Sequence, residues 1–410
     1  MADNHDLLIL PRPDSTSLVL SEAGVSLIVR GRRDASSLLL RKKEPLCFAA
    51  VMLNGKWGYI DKVGNLIVEP QFEQAVPFTG GFAAVSDGEK WIFIDKTGQR
   101  AFDTEFDDCA PFSDGLAGVK VGTKWGFIDE GGKQVVGLQF SSVKRFSGGV
   151  SGVEILAGGR RKWGIIDKAG TFIAKAQFDQ VNEFSEGLCG VNLEDRWGFI
   201  DRSGRFAVQP TLTDTFGYFS EGLTEATDES SSGYINRNGD FLITIESEES
   251  DIFRGGLARV KINGRWGFID KTGNFVIAPR FEETTRFNRG LAGAMLNEKW
   301  GFIDTTGKYV INSQFDSADS QNGFRFDVTS VKLDGKYGFI DMEGRYVIAP
   351  RFDYTEFDLI YGFRCGLVAV MIEGKWGYLD SSGSQCISPQ FEDALPFTEA
   401  DAPSFSDDLI

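Results

Sequence analysis

The side chains that could do chemistry recur along this chain at a spacing of about 34 residues. Nine copies carry a basic residue, a Trp or Tyr directly after it, and an acidic residue four positions after that aromatic residue. The acidic positions are Asp61, Asp95, Asp129, Asp167, Asp201, Asp270, Asp304, Asp341 and Asp380, with Asn236 in one degenerate copy. One carboxylate per copy falls short of the roughly six to eight oxygen ligands of Ca²⁺. We therefore predict that these residues cap turns and that the chain holds no metal.

The basic residues would form a stripe if the copies stack in register. They are Lys56, Lys90, Lys124, Lys162, Arg196, Arg265, Lys299, Lys336 and Lys375. A stripe could hold an anionic partner, but the chain carries a formal net charge of -16. We therefore favour the interpretation that these residues balance nearby carboxylates.

The sequence contains few residues that are suited to catalysis. His5, the only histidine, lies near the N-terminus, which disfavours His-based acid–base or triad chemistry. Acidic pairs such as Asp107-Asp108 follow a Phe in several copies, which identifies them as part of the repeat and not as a glycosidase pair. We predict no catalytic residue, no cofactor site and no enzymatic activity.

The net charge and the hydropathy of the chain limit which kinds of partner we expect it to bind. A net charge of -16 disfavours nonspecific binding to nucleic acid or to an anionic membrane. No apolar run approaches the roughly 20 residues of a membrane-spanning helix, and Asp3 and Asp6 stand where a signal peptide would be basic. The five cysteines are scattered without a C-x-x-C pair, so we predict neither a zinc site nor a disulfide framework. We expect a cytoplasmic protein.

The clearest copy, residues 256–287, predicts the fold of one unit. Residues 256–262 and 265–270 have the character of strands on either side of Asn263-Gly264, which is a tight hairpin signal. A turn closed by Gly273 leads to a third strand. We predict a three-stranded antiparallel meander, in which the Gly after the Trp admits a neighbouring unit at close range.

Ten such units predict an all-β tandem repeat array. We favour a superhelical β-solenoid, because ten three-stranded blades would be many for one ring; a closed, propeller-like ring is the alternative. Residues 1–45 are predicted to be an N-terminal arm or cap, and residues 46–398 the repeat domain, with a degenerate sixth unit. Residues 399–410 are predicted to be an acidic tail.

The motif Lys-Trp-Gly-Phe-Ile-Asp-x-x-Gly, complete at residues 124–132, resembles the WG (KWG) repeat family of bacterial proteins. The resemblance covers residues 46–397 and implies an all-β scaffold without an assigned catalytic activity. Ile92 replaces the Gly in unit two, and Tyr337 replaces the Trp in unit nine. Unit six lacks both the Trp and the Pro-x-Phe element.

Departures from the repeat are where we expect partner binding, because insertions in repeat proteins map to loops. Residues 157–161 lengthen a hairpin of unit four, and residues 319–326 and 354–361 lengthen two successive crossings. The predicted partner-binding set combines Arg and aromatic residues of these loops with basic residues of the arm. It is Arg30, Arg32, Arg33, Arg160, Arg161, Phe324, Arg325, Phe326, Tyr354, Phe357 and Tyr361.

Together these features predict a non-enzymatic protein–protein interaction scaffold or regulatory binding protein. Its partner would be another protein, either a basic one or a regulatory or proteolytic one acting at the N-terminal arm. The alternative is a carbohydrate-, peptidoglycan- or other ligand-binding repeat module with exposed Trp side chains as its platform. Buried Trp side chains would argue against that alternative.

Overall fold

A computed structural model describes residues 45–318, 324, 327–355 and 363–402. The described residues form ten small antiparallel sheets and contain no helix. A typical sheet has one short strand and three long strands, and the long strands are consecutive in the chain. The sheets are called blades and are numbered 1 to 10 in chain order.

The first long strands are β1 (Cys47–Leu53), β5 (Phe82–Ser86), β8 (Leu116–Val121), β12 (Val150–Ala157), β16 (Leu188–Leu193), β20 (Leu223–Thr227), β24 (Leu257–Ile262), β28 (Leu291–Leu296), β32 (Val328–Leu333) and β36 (Leu367–Ile372). The second long strands are β2 (Lys56–Asp61), β6 (Trp91–Asp95), β9 (Lys124–Asp129), β13 (Arg160–Asp167), β17 (Arg196–Asp201), β21 (Ser232–Asn236), β25 (Arg265–Asp270), β29 (Lys299–Asp304), β33 (Lys336–Asp341) and β37 (Lys375–Asp380). The third long strands are β3 (Leu66–Phe72), β10 (Gln134–Phe140), β14 (Phe172–Phe178), β18 (Phe206–Leu212), β22 (Phe241–Thr244), β26 (Phe275–Phe281), β30 (Tyr309–Phe315), β34 (Tyr346–Phe352) and β38 (Gln385–Phe391).

The short strands follow the third long strand of one blade and join the next blade. They are β4 (Gln74–Ala75), β7 (Asp108–Cys109), β11 (Ser142–Val143), β15 (Gln180–Ser185), β19 (Asp214–Thr215), β23 (Glu249–Ser250), β27 (Glu283–Thr284), β31 (Ser317–Ala318), β35 (Tyr354–Thr355), β39 (Asp393–Ala394) and, after it, β40 (Thr398–Glu399). Most blades therefore have four strands, one more than the predicted meander, because each unit lends a strand to the next.

The hydrophobic core lies between adjacent blades. One core cluster joins Leu257 and Phe268 of blade 7 to Phe287 and Ala292 of blade 8. The rings of Phe268 and Phe287 are 4.7 Å apart. Similar clusters recur from blade to blade, so each sheet buries apolar side chains on both faces. This arrangement explains why strands such as Arg265–Asp270 are apolar on both faces.

The antiparallel strands give the blades two opposite ends. The hairpins between the first and second long strands, such as Asn263-Gly264, lie at one end, which we call the hairpin face. The Asp-x-x-Gly turns lie at the other end, together with the tight turns that precede the first long strands. We call this end the Asp-turn face.

The chain closes into a ring, so the propeller-like alternative is confirmed and the open solenoid that we favoured is wrong. The C-terminal strands β39 and β40 both pair antiparallel with β1 of blade 1. Phe48 lies opposite Thr398, as Leu116 lies opposite Ser113 within the single turn of blade 3. The last unit thus supplies the short strand that blade 1 would otherwise lack, which is how closed rings remove exposed edges.

A disulfide joins the two blades that meet at this closure. Cys47 of blade 1 and Cys365 of the turn before β36 are bonded, with a Cα–Cα distance of 6.3 Å. The prediction of no disulfide is therefore wrong. The two residues are 318 positions apart, and only ring closure makes them neighbours. Cys109, Cys189 and Cys386 are free.

We expect one fast-reacting thiol in the native, unreduced protein. Burial raises the pKa of Cys109 and of Cys189 to about 12. Partial burial and the charge of Asp380 also raise the pKa of Cys386, but Cys386 alone of the three is exposed. A buried thiol with a raised pKa carries little thiolate at pH 8, so it reacts slowly. Titration with a chromogenic disulfide reagent should give one thiol natively, three after unfolding and five after reduction. Five thiols without reduction would show that Cys47 and Cys365 are not bonded.

The Gly of the repeat motif has a different neighbour from the one predicted. A Cβ added at Gly267 would lie 2.5 Å from the carbonyl oxygen of Ile277 and 2.7 Å from the nitrogen of Pro279. Both atoms belong to the bulged third strand of the same blade, so the Gly admits this bulge and not another unit. Blade 2, where Ile92 replaces the Gly, lacks a regular third strand.

Gly267→Ala is expected to lower the free energy of unfolding by about 1–3 kcal/mol, because the added methyl group overlaps backbone atoms. Gly137→Ala is the matched control, since its Cβ would meet only the side-chain nitrogen of Gln134 at 3.6 Å. The control should change stability by less than about 0.5 kcal/mol. Chemical denaturation measures both variants, and equal stabilities would contradict the assigned role of the Gly.

Candidate functional site

The recurring Asp residues cap turns, as predicted. In blade 7, Oδ1 of Asp270 accepts hydrogen bonds from the backbone N–H of Thr272 at 2.8 Å and of Asn274 at 3.1 Å. The hydroxyl of Thr272 donates to the same oxygen, and these bonds hold the pKa of Asp270 below its usual range. Asn236 accepts the equivalent bonds in the degenerate blade. These side-chain oxygens are therefore occupied by hydrogen bonds within the turn.

The basic residues before the aromatics join ion pairs that link neighbouring blades. Nζ of Lys162 lies 2.5 Å from Oδ1 of Asp179, whose second oxygen accepts the N–H of Glu194 in the next blade. The bond from Lys162 lowers the pKa of Asp179. The pairs of this type are Lys56–Glu73, Lys90–Asp107, Lys162–Asp179, Arg265–Glu282, Lys299–Asp316 and Lys336–Asp353. Six of the nine basic residues are therefore neutralised by a carboxylate of their own crossing, and Arg196 pairs with Glu229, in agreement with the favoured interpretation.

The Trp side chains pack within the ring. Trp57, Trp266, Trp300 and Trp376 are buried, and the remaining four Trp are half-buried. No Trp is exposed, although all eight lie in the described residues. A row of exposed Trp platforms is therefore not formed.

Cations on the Asp-turn face also bind the preceding blade. Lys271 of blade 7 donates to the backbone oxygen of Glu221 in blade 6 at 3.0 Å, and its Nζ lies 3.0 Å from the Glu221 carboxylate. Lys168 and Arg202 reach backwards in the same way, to the carbonyl oxygens of Asp114 and Gly148. These residues connect blades and leave little charge for a ligand.

The predicted partner-binding residues do not form one site. Arg160 and Arg161 are exposed in the hairpin of blade 4, where Arg161 lies 3.5 Å from Glu154. Phe324 is fully buried against Phe302, so the expectation of an exposed side chain is wrong for it. Tyr354 is half-buried, and its ring packs against those of Tyr337 and Trp376. Arg30, Arg32, Arg33, Arg325, Phe326, Phe357 and Tyr361 lie outside the described residues.

A charged cluster centred on Asp251 departs most strongly from the repeat. Asp251 ends the degenerate sixth unit and is 2% exposed. Its Oδ2 accepts from Nε of Arg259 at 2.7 Å and from Nε of Arg286 at 2.9 Å, and its Oδ1 lies 2.8 Å from NH2 of Arg286. Arg259 also donates to the carbonyl oxygen of Thr284. We call Tyr218, Glu225, Asp251, Arg254, Arg259 and Arg286 the Asp251 cluster.

Blades 6, 7 and 8 each contribute to this cluster. Glu225 lies on β20 of blade 6, Arg259 on β24 of blade 7, and Arg286 directly after Thr285 at the end of the short segment of blade 8. The guanidinium of Arg259 stacks 4.7 Å from the ring of Trp266. Stacking and bidentate carboxylate binding both favour Arg over Lys at such a position.

Sequence reasoning missed these residues, although the repeat contained a signal. Glu225 and Arg259 occupy the position that is small in all other units. The residues at that position are Ala50, Ala84, Gly118, Gly152, Gly190, Gly293, Ser330 and Ala369. Adjacent units six and seven thus carry charged side chains where the other units have a small residue. This local departure from the repeat cannot be seen from loop lengths.

The electrostatics of the cluster follow from burial and charge. Burial raises the pKa of Asp251, but the hydrogen bond and charge of Arg286 and the charge of Arg259 outweigh it, so the pKa lies below the usual range. Burial raises the pKa of Tyr218, which keeps its hydroxyl protonated. The pKa of Arg254 is lowered by burial and by the nearby charge of Arg286. Guanidinium groups stay protonated, so Arg254 retains its charge.

The charged groups of the Asp251 cluster are mainly hydrogen-bond donors. Within the described residues, no group of three or more His, Cys, Asp or Glu side chains is placed to hold a metal ion. Among those same residues, no helix is long and apolar enough to cross a membrane. The Asp251 cluster offers paired guanidinium groups and a phenol, which are hydrogen-bond donors, and its central carboxylate is already shared between two of them.

The chain belongs to the family of proteins with WG-containing repeats. The family model matches ten consecutive segments: residues 57–91, 93–125, 125–155, 163–197, 197–226, 233–266, 266–300, 300–337, 337–376 and 376–400. The matches extend through the degenerate sixth unit. They cover most of the repeat domain and confirm the resemblance seen in the motif.

Comparisons with solved structures give similarities at low identity. The chain is similar to a eukaryotic initiation factor (12% identity, 87% of this chain and 98% of that chain, TM-score 0.47). It is similar to AztD of Citrobacter koseri (12% identity, 64% of this chain and 93% of that chain, TM-score 0.32). It is also similar to PorZ, a surface component of the type-IX secretion system of Porphyromonas gingivalis (11% identity, 81% of this chain and 46% of that chain, TM-score 0.25). No curated protein matches the chain in sequence.

Proposed function

We propose that this protein is a non-enzymatic interaction scaffold that binds another protein through blades 6 to 8. The Asp251 cluster carries the proposal, because it is the place where charged side chains replace the small residues of the repeat. Elsewhere the motif's Asp and basic residues bind turns and neighbouring blades, as the contacts of Asp270 and Lys162 illustrate. A ring held by its own repeated contacts presents different side chains without changing its fold, which suits a scaffold.

The carbohydrate- or peptidoglycan-binding alternative has less support. It needs exposed aromatic platforms, and the Trp side chains are buried or half-buried. Iodide quenching of Trp fluorescence checks this in solution, because buried indoles are quenched weakly. A cytoplasmic location stays part of the proposal, and fractionation of cells that produce the protein would test it.

Affinity purification with quantitative mass spectrometry tests the scaffold function. The baits are the full chain, the same chain carrying Arg254→Ser and Arg286→Ala, and a chain lacking residues 1–45. We expect the full chain to retain a protein at near-stoichiometric level, and the double variant to lose most of it. If only the chain lacking residues 1–45 lost the partner, binding would be assigned to the arm, and the role of blades 6 to 8 would be refuted. Absence of any stoichiometric partner would refute the scaffold function.

A further inference from the structure

We propose, building on the scaffold function above, that Arg254 and Arg286 with the Tyr218 hydroxyl form a binding site for an oxyanion, either a carboxylate or a phosphate group. The site lies on three consecutive blades, beside the buried Asp251. The surrounding cluster holds three guanidinium groups and two carboxyl groups, those of Asp251 and Glu225, and burial raises the pKa of Glu225.

The position of Arg254 is fixed by a turn that recurs around the ring. Its N–H donates to the carbonyl oxygen of Leu257 at 2.9 Å, as the N–H of Ser113 does to that of Leu116. Arg254 therefore occupies the place that Ser113 has in blade 3. Arg364 occupies the same place in blade 10, where its N–H donates to the carbonyl oxygen of Leu367.

Residues at this place face the following blade. The hydroxyls of Ser113, Ser185 and Ser220 each donate to the carbonyl oxygen of a Phe there, at 2.5 to 2.7 Å. The equivalent Phe for blade 7 is Phe287, and a Cβ added at Gly255 would lie 3.9 Å from its Cβ. Phe287 directly follows Arg286, so the turn places Arg254 next to Arg286.

Of the nearby carboxyl groups, those of Asp251, Glu283 and Glu221 are paired with other cations, and burial raises the pKa of the fourth, Glu225. Asp251 is shared by Arg259 and Arg286, and Glu283 lies 3.6 Å from Arg259. The Glu221 carboxylate binds Lys271 at 3.0 Å and also accepts the N–H of Gly256.

Arg254 itself is half-buried, and among the described residues its guanidinium has neither an ion pair nor a hydrogen bond. Burying a charge without a partner is costly, and an incoming oxyanion would remove that cost. An unpaired guanidinium is the more unusual in a chain whose formal net charge is -16.

Tyr218 supplies a neutral donor to the same site. It lies in the crossing that leads to blade 6, where the segment before the buried Phe219 is one residue longer than in units such as residues 105–115. Burial raises the pKa of Tyr218 more than the nearby charge of Arg286 lowers it, so the hydroxyl keeps its proton and can donate it to an oxyanion. Two guanidinium groups and one hydroxyl match the acceptors of a carboxylate or a phosphate.

Isothermal titration calorimetry at fixed ionic strength tests the site on the full chain. Inorganic phosphate and a capped tetraglutamate peptide are the two probes, and they distinguish a free phosphate from the carboxylates of a peptide. Arg254→Ser introduces the residue found at Ser113, so the fold should be retained. Arg205→Ser is the matched control, because it removes the same charge from an exposed turn outside the site.

We expect at least one probe to bind the wild-type chain, and Arg254→Ser to weaken that binding about tenfold or more. The control should bind as tightly as wild type, and the tighter probe identifies the source of the oxyanion. Failure of both probes to bind wild type, or equal affinities for wild type and Arg254→Ser, would overturn the site. Partner capture without oxyanion binding would refute this site alone, whereas oxyanion binding without any partner would refute the scaffold function alone.

Discussion

Asp251→Ala is expected to lower the free energy of unfolding at pH 7 by about 3–5 kcal/mol, because it leaves two half-buried guanidinium groups without their shared carboxylate. Asp251 is almost fully buried and binds Arg259 and Arg286 through both oxygens. Removing one member of a buried ion cluster lowers the free energy of unfolding by more than the intact cluster contributes to it. The reason is that the remaining charges stay buried without a partner. Urea denaturation followed by far-UV circular dichroism measures the change.

Two controls separate the charge effect from simple loss of packing. A triple variant, Asp251→Val with Arg259→Gly and Arg286→Ala, removes all three charges together and should recover most of the lost stability. Glu249→Ala removes an exposed carboxylate paired with Lys261 and should change stability little. If Asp251→Ala were as stable as wild type, the three residues would not act as a charge cluster.

The stability difference between wild type and Asp251→Ala should depend on pH. The folded-state pKa of Asp251 is lowered, so its stabilising contribution is complete above the unfolded-state pKa of about 4. The contribution is lost as the pH falls through the lower folded-state value. The difference should therefore be constant between pH 6 and 8 and shrink below about pH 4. A difference that grew on acidification would contradict the lowered pKa.

Reduction of the Cys47–Cys365 disulfide is expected to lower the free energy of unfolding by about 2–5 kcal/mol. The bond links residues 318 positions apart, and it lies where the first and last blades meet. Its loss leaves the ring closed by the pairing of β1 with β39 and β40 and by the apolar core that blades 1 and 10 share. Thermal unfolding with and without reductant measures the effect, and Cys47→Ser with Cys365→Ser should reproduce it without reductant.

Cys386→Ser provides the matched control, because Cys386 is exposed and free. This variant should be as stable as wild type and should respond equally to reductant. An unchanged unfolding midpoint on reduction of wild type would show that strand pairing and core packing hold the closure without the bond.

Much of each blade could be predicted from local sequence. Asn263-Gly264 predicted a hairpin, and Asp270 to Gly273 predicted a capped turn; both are present. These features depend on a few consecutive residues, whose backbone preferences and short-range hydrogen bonds are nearly independent of the rest of the fold. The recurrence of the motif then predicted how many blades there are, and the family match agrees with it.

The Asp251 cluster could be predicted only in part. Arg259 at a small-residue position was visible in the sequence, but its partner Arg286 lies 27 residues further on in the next blade. Phe324 illustrates the opposite error, because its loop looked exposed and yet its ring packs on Phe302. Which side chains meet between blades depends on the packing of sheets, and residue spacing within one unit does not specify it.

The sequence by itself determined the all-β repeat, its strands and turns, and the structural use of the recurring Asp residues. Only the tertiary structure decided that the array closes, that Cys47 meets Cys365, and that Asp251 gathers arginines from adjacent blades. The physical reason is that the local motif is the same in a solenoid and in a ring. The small rotation between successive blades, added over ten of them, decides whether the last strand reaches the first.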